Sequence, residues 1–274
     1  MEFLNMELLE INNQEYAFEI HQRKENLPWL LMLHGFMGDH RVFDHLINDL
    51  TVSCNPITID LLGHGQSSKP TDPDRYNESY QIDDIVQLVY RLNIFPILLY
   101  GYSMGGRLAL KTAFENPDPF HGLILESTTN GIEDEEKRKQ RQQLDQQRAD
   151  AVESDYKSFL SKWEEAPLFQ SPLAVDQELI NKYHHIHLDQ SPEAMAASLR
   201  GFGTGFMTPE TKHFPGYNEP TMLIAGSADE KYKRINKRLT DFFLDVHLRF
   251  IEAGHRVHLD NPSKLTNELT TFIY

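Results

Sequence analysis

The chain predicts an α/β fold: a mostly parallel central sheet flanked by helices, with an inserted helical cap. Three observations predict it. Short apolar runs alternate with helical patterns along most of the sequence, and strands apolar on both faces belong in a sheet that helices cover on each side. The segment Gly101-Tyr102-Ser103-Met104-Gly105 sits between one such run and a helical pattern. From about Gly131 to about Gly205 the alternation stops and no strand-like run occurs.

The elements follow in order. Residues 6–20 alternate and contain Asn12-Asn13-Gln14, which predicts an opening hairpin. Apolar runs predict strands at 29–33, 56–60, 95–100, 122–126, 221–225 and 247–251. Helical periodicity predicts helices near 41–50, 79–93, 104–116, 229–243 and 262–273. The interrupting stretch reads as polar helices at 134–153, 156–163, 176–185 and 192–199, the first dense in charge. A solvated helix face is the ordinary reading of such a run. Helices inserted between two strands also read as a lid over a site. The division is therefore a core of residues 1–130 and 206–274 with a cap of residues 131–205.

Bulk properties narrow the function. The 274 residues are 40% hydrophobic and 24% charged, ordinary for a globular protein. No run approaches a membrane span. Acidic residues stand near the N-terminus where a signal peptide would be basic. The single cysteine, Cys54, excludes an intrachain disulfide framework and suits a cytoplasmic setting. A net charge of −15 argues against nucleic acid or an anionic membrane as partner. An anionic substrate would need locally concentrated Arg or Lys.

The G-x-S-x-G segment predicts a nucleophile elbow, because a strand precedes it and a helix follows. Serine is a weak nucleophile or base until a neighbour removes its proton. In this architecture the partners follow in the order Ser, acid, His. Gly226-Ser227-Ala228-Asp229 and Glu252-Ala253-Gly254-His255 both lie at carboxyl ends of strands, so Ser103, Asp229 and His255 form the candidate triad. Glu230 and His258 are the nearest rivals. The oxyanion donors are expected from the backbone N–H of Met104 and of Phe36, in the loop His34-Gly35-Phe36 after an early strand. The turn Asp60-Leu61-Leu62-Gly63-His64-Gly65-Gln66-Ser67 reads as scaffold. The run His184-His185-Ile186-His187 suggests a metal only superficially: no Cys or carboxylate cluster joins it in sequence, so a polar cap surface is expected and no metal or cofactor.

Together these segments resemble the α/β-hydrolase superfamily. The elbow with Gly106-Arg107-Leu108-Ala109-Leu110, the WEEAPLF segment at 163–169, and Ala196-Ala197-Ser198-Leu199-Arg200-Gly201-Phe202-Gly203-Thr204-Gly205 more narrowly resemble the 2-succinyl-6-hydroxy-2,4-cyclohexadiene-1-carboxylate synthase family of menaquinone biosynthesis. The resemblance implies a lyase that removes a proton and expels pyruvate, with a small anionic substrate. A substrate with several carboxylates makes Arg107 a candidate, since it lies four residues past Ser103 on the same helix face. The resemblance also implies Arg141 as an anion-binding residue, with Arg138 one turn away as a substitute. Tyr102 and Trp163 are candidate pocket walls. A further cap arginine of that family is missing here, where Asn181-Lys182-Tyr183-His184-His185 stands; Lys182 or His184 is the candidate replacement, and Arg200 another cation. Two other readings use the same fold: a serine hydrolase of esters or of carbon–carbon bonds in a diketone, and a non-catalytic small-molecule receptor.

Overall fold

The computed structural model describes residues 6–211 and 216–274. Residues 1–5, on which the reading of the N-terminus partly rests, lie outside it. Asn12 and Asn13, with φ of 51° and 59°, turn β1 (Glu7–Ile11) back into β2 (Gln14–Ile20) as an antiparallel hairpin; asparagine tolerates this left-handed region better than most residues. There follow β3 (Trp29–Leu33), α1 (Asp44–Leu50), β4 (Asn55–Ile59), α2 (Glu78–Leu92), β5 (Ile97–Tyr102), α3 (Met104–Glu115) and β6 (Phe120–Glu126). Four helices come next: α4 (Glu135–Ser154), α5 (Tyr156–Glu164), α6 (Gln177–Leu188) and α7 (Pro192–Phe202). The chain closes with β7 (Thr221–Gly226), α8 (Glu230–Leu239), β8 (Val246–Ile251), α9 (Val257–Asp260) and α10 (Pro262–Ile273).

The eight strands form one sheet in the order β1-β2-β4-β3-β5-β6-β7-β8. From β4 to β8 every pairing is parallel; β2 meets β4 antiparallel. Alternate strand residues enter opposite cores. Leu31, Leu33, Leu99 and Leu125 pack with Ile85 of α2 and Leu108 of α3. Leu30, Met32, Leu98 and Ile124 pack with Leu46 of α1 and Leu265 of α10. This period of two explains why both faces read as apolar.

The order places the switch point of the sheet between β3 and β5, whose chains leave toward opposite sides. Ligands in open parallel sheets bind at such a crevice, beyond the carboxyl ends of the strands. The loop after β3 and the Ser103 elbow both open there.

A third core holds the cap together. Ala149 and Val152 of α4 meet Ala194, Met195 and Leu199 of α7, with Met37 of the β3 loop beneath them. Small residues let α4 and α7 approach closely: a Cβ on Gly205 would stand 2.4 Å from the Gln142 nitrogen. Three short elements lie outside the sequence expectations: the 3₁₀ turns Pro73–Tyr76 and Pro167–Phe169, and α9. Each is too short to show a period. The helix expected over 229–243 is α8 followed by a 3₁₀ turn, Thr240–Phe242. No helix among the described residues is long and apolar enough to cross a membrane.

Candidate active site

Ser103 stands between β5 and α3 with φ 52° and ψ −103°, a conformation that L-residues adopt only where surroundings enforce it. Its N–H donates to the Glu126 carbonyl (2.9 Å), and its carbonyl accepts from the Arg107 N–H (3.1 Å) and the Thr128 hydroxyl (2.8 Å). Gly105 must be glycine: a Cβ there would lie 2.3 Å from the Leu33 carbonyl oxygen. That approach lets the Gly105 N–H reach the His34 carbonyl at 3.0 Å, tying the elbow to the loop after β3.

His34 explains the rest of that loop. Its Nδ1 bonds the Gly35 carbonyl (2.8 Å), and its Nε2 accepts the Leu61 N–H (3.0 Å). Both roles together require a neutral imidazole, and burial lowers the His34 pKa in the matching direction. The loop thus holds Phe36 opposite Met104 across the cavity that both line. Met104 opens α3, so its N–H has no acceptor within the helix. Backbone N–H donors at these two positions would suit developing negative charge.

His255 and Asp229 complete the set. His255 Nε2 lies 3.3 Å from Ser103 Oγ, and His255 Nδ1 lies 2.9 Å from Asp229 Oδ2. Asp229 caps α8: its Oδ1 accepts the Tyr232 N–H at 3.1 Å. One carboxylate oxygen is thus held at the helix end, and the second is left to orient the imidazole. Glu230 is exposed and paired with Lys233, so it is not the acid. Burial lowers the His255 pKa, against the raising effect of Asp229. The neutral form needed to accept a serine proton is thereby favoured.

His258, the rival base, is fully buried below the site. Its Nδ1 donates to Glu126 Oε1 (2.7 Å), Tyr183 of the cap bonds its Nε2, and Tyr100 bonds the other Glu126 oxygen. Burial opposes charge on Glu126, yet His258 and Tyr100 hold its carboxyl below the ordinary value. This group supports the site from beneath and does not reach the cavity. Burial also pushes the Cys54 thiol up to about 12, away from reactivity.

Above Ser103 lies a cavity of about 430 Å³ between the sheet and the cap. Five cations line it: Arg107 from α3, Arg141 and Arg148 from α4, Lys162 from α5 and Lys231 from α8. No Asp or Glu does. Arg107 is only 7% exposed. Its Nη1 donates to the Phe202 carbonyl (2.7 Å) and its guanidinium lies 4.5 Å from the Phe202 ring. Among the described residues no carboxylate pairs with it. Burial, then the nearby Arg141, lower its pKa to about 10. Trp163 walls the cavity against Phe36, Phe159 and Phe169.

Several expected residues lie elsewhere. Tyr102 lines a small neighbouring cavity, its ring 4.4 Å from that of His258. Arg138 turns back to the Ile132 and Glu133 carbonyls and does not line the catalytic cavity. Neither Lys182 nor His184 reaches it: Lys182 pairs with Asp44 (2.6 Å) and His184 with Glu164 (2.8 Å). Arg200 is taken by Asp150 and Glu153. The histidine run does have a carboxylate neighbour in space, since Glu164 also binds His187 (2.7 Å); α5 brings it there from outside the local sequence. The buried set Asp39, His40 and Asp60 is satisfied internally, with His40 on Asp60 and Arg41 on Asp39 at 2.7 Å each. That pairing fits the scaffold reading of the Asp60–Ser67 turn.

Arg148, Lys162, Lys231, Tyr232 and Phe169 line the cavity but were not expected. For Arg148 a signal existed. Arg141, Asp145 and Arg148 are spaced i, i+4 and i+7, on one helix face.

An elbow serine and a hydrogen-bonded His–Asp pair meet at the switch point of an α/β sheet, in an α/β enzyme fold. Residues 28–262 match the family model described as alpha/beta hydrolase fold, and the chain belongs to that family. It is similar to the solved structure of MenH from S. aureus, with 33% identity and a TM-score of 0.87, over 94% of this chain and 97% of that one. A Bacillus subtilis (strain 168) relative named "Putative 2-succinyl-6-hydroxy-2,4-cyclohexadiene-1-carboxylate synthase" is 31% identical over 249 residues, 89% of this chain and 90% of its own. An Enterobacter sp. (strain 638) relative, named 2-succinyl-6-hydroxy-2,4-cyclohexadiene-1-carboxylate synthase, is 27% identical over 241 residues, 88% and 89% of the two chains.

Proposed function

We propose that this chain is a lyase of menaquinone biosynthesis. It eliminates pyruvate from 2-succinyl-5-enolpyruvyl-6-hydroxy-3-cyclohexene-1-carboxylate and leaves 2-succinyl-6-hydroxy-2,4-cyclohexadiene-1-carboxylate. One observation carries the reading: in a chain of net charge −15, the described residues that line the cavity over the serine include five cations and no carboxylate. A neutral ester gains nothing from buried guanidinium groups, whose desolvation is costly. A polycarboxylate gains a great deal. The names of the relatives support the same reaction.

The chemistry follows from the substrate. The C2 hydrogen is acidic because it lies beside the succinyl ketone and is allylic. His255 takes the Ser103 proton, and the Ser103 oxygen takes the C2 proton. Negative charge moves onto the ketone oxygen, toward the N–H groups of Phe36 and Met104. Its return forms C2=C3, the C3=C4 pair moves to C4=C5, and the C5–O bond breaks. Enolpyruvate departs and takes on its methylene carbon a proton equivalent to the one His255 holds, which gives pyruvate and returns the imidazole to its neutral form. The atoms balance without water, oxidant or cofactor. The cap excludes water that would otherwise compete for the alkoxide. Asp229 keeps the imidazole in the tautomer that accepts on Nε2. Arg107 and Arg141 bind carboxylates, and Trp163 packs against the ring. The cap corresponds to residues 131–205, and the setting is cytoplasmic, where Cys54 stays reduced.

The test is release of pyruvate from the enolpyruvyl substrate, followed by NADH-coupled reduction. Wild-type protein should turn over, and Ser103→Ala should fall by a factor of about 10³ or more. Brisk cleavage of p-nitrophenyl acetate with no pyruvate released would establish an ester hydrolase instead.

A further inference from the structure

We infer that Arg148 binds a second carboxylate of the substrate, one remote from Ser103, and so makes the site selective for dianions. The inference rests on the elimination reading above and names a residue that the reading does not use. Three guanidinium groups converge on the cavity: Arg107 from the floor, Arg141 and Arg148 from the cap. Among the described residues, the carboxylate within ion-pair distance of them is Asp145, fully buried on the same face of α4 as Arg141 and Arg148. Its Oδ1 takes Arg141 Nε at 2.7 Å, and its Oδ2 takes the Gly205 N–H at 3.0 Å. Arg148 Nη1 lies 3.6 Å from that same, already occupied Oδ1, too far for a full hydrogen bond. Arg107 has no carboxylate partner among the described residues. Three positive charges against one negative leave an excess that one carboxylate does not neutralise.

The surroundings of Arg148 suit a ligand contact. Its guanidinium lies 5.4 Å from the Trp163 ring, and Trp163 in turn packs edge-on against Phe36. The wall therefore fixes the group without consuming its hydrogen-bond donors. Burial and the neighbouring Arg141 disfavour its charge, against the effect of Asp145, and a bound anion would relieve that deficit. Arg138, on the preceding turns of the same helix, is spent on backbone carbonyls.

The probe is 2-succinylbenzoate, which is the product less one molecule of water and keeps both acid groups. Its two monomethyl esters complete the set. Calorimetric affinities are measured on wild type, Arg148→Met and Arg148→Lys, with thermal unfolding alongside. Arg148→Met should weaken the diacid by about 30-fold, the size of one charge-assisted contact. One of the two monoesters should lose less than threefold, because its partner group is already gone. Arg148→Lys should recover part of the diacid affinity. Equal losses for the diacid and both esters, or no loss at all, would overturn the inference; equal losses with a lowered Tm would assign Arg148 to bracing the cap. The pattern is read from binding alone, so it stands apart from whether the wild type releases pyruvate.

Discussion

Replacing Arg107 by methionine should cost substrate capture far more than stability. The guanidinium is almost wholly buried and lacks a carboxylate partner. Its pKa falls from the ordinary value to about 10. At about 1.4 kcal/mol per pH unit, this corresponds to about 3 kcal/mol against holding the charge in the empty cavity. Two contacts offset it: the bond to the Phe202 carbonyl, about 1–2 kcal/mol, and the Phe202 ring, about 1–2 kcal/mol. Methionine keeps much of the side-chain volume and removes the charge, so Arg107→Met should change unfolding free energy by no more than about 1 kcal/mol. The loss of a two-pronged carboxylate contact should raise KM by about 10²-fold. Thermal unfolding and steady-state pyruvate release are the assays. A drop in stability above about 3 kcal/mol with KM unchanged would refute the argument and make Arg107 a brace between α3 and Phe202.

Two further outcomes follow from the site. Ser103→Gly should be more stable than Ser103→Ala by about 1 kcal/mol, because relief of the positive-φ strain, about 1–3 kcal/mol, exceeds the extra entropy, about 0.4–1 kcal/mol, that glycine loses on folding; equal denaturant midpoints would show that the elbow is unstrained. On the acid side, kcat/KM should fall with an apparent pKa below 6.5, the ordinary histidine value. The sign is fixed by burial: His255 is harder to protonate in the fold than in the open chain, and protonation removes the acceptor for the Ser103 proton. An acid limb above 6.5 would mean that Asp229 outweighs burial.

The sheet was legible because its strands are apolar on both faces, and such runs bounded by turns have few other readings. The meeting of Ser103, Asp229 and His255 was legible because all three lie at strand ends in a fixed chain order. The cap was harder. Its helices were found from periodicity, but which side of α4 faces the cavity depends on where α7 packs. Arg138 and Arg141 differ by three residues and are chemically alike in sequence; only the contact of α4 with Gly205 turns Arg141 inward and leaves Arg138 at the helix entrance. Lys182 and His184 were candidates by proximity in the chain, and α6 presents them to Asp44 and Glu164 instead. Lys162 and Lys231 enter from α5 and α8, and their convergence on the cavity is a tertiary fact with no local signature.

The Gly105–His34 bond joins the two strand ends that supply the Phe36 and Met104 donors. Their separation is therefore inherited from adjacent parallel strands, about 4.8 Å apart in any sheet, and side-chain exchange leaves it almost untouched. Such a floor is a fixed tool, indifferent to whether the charge it meets belongs to an ester or to an enolate. Diversification among proteins of this architecture then falls to the segment between β6 and β7, which can be rebuilt residue by residue while the machinery below keeps its dimensions.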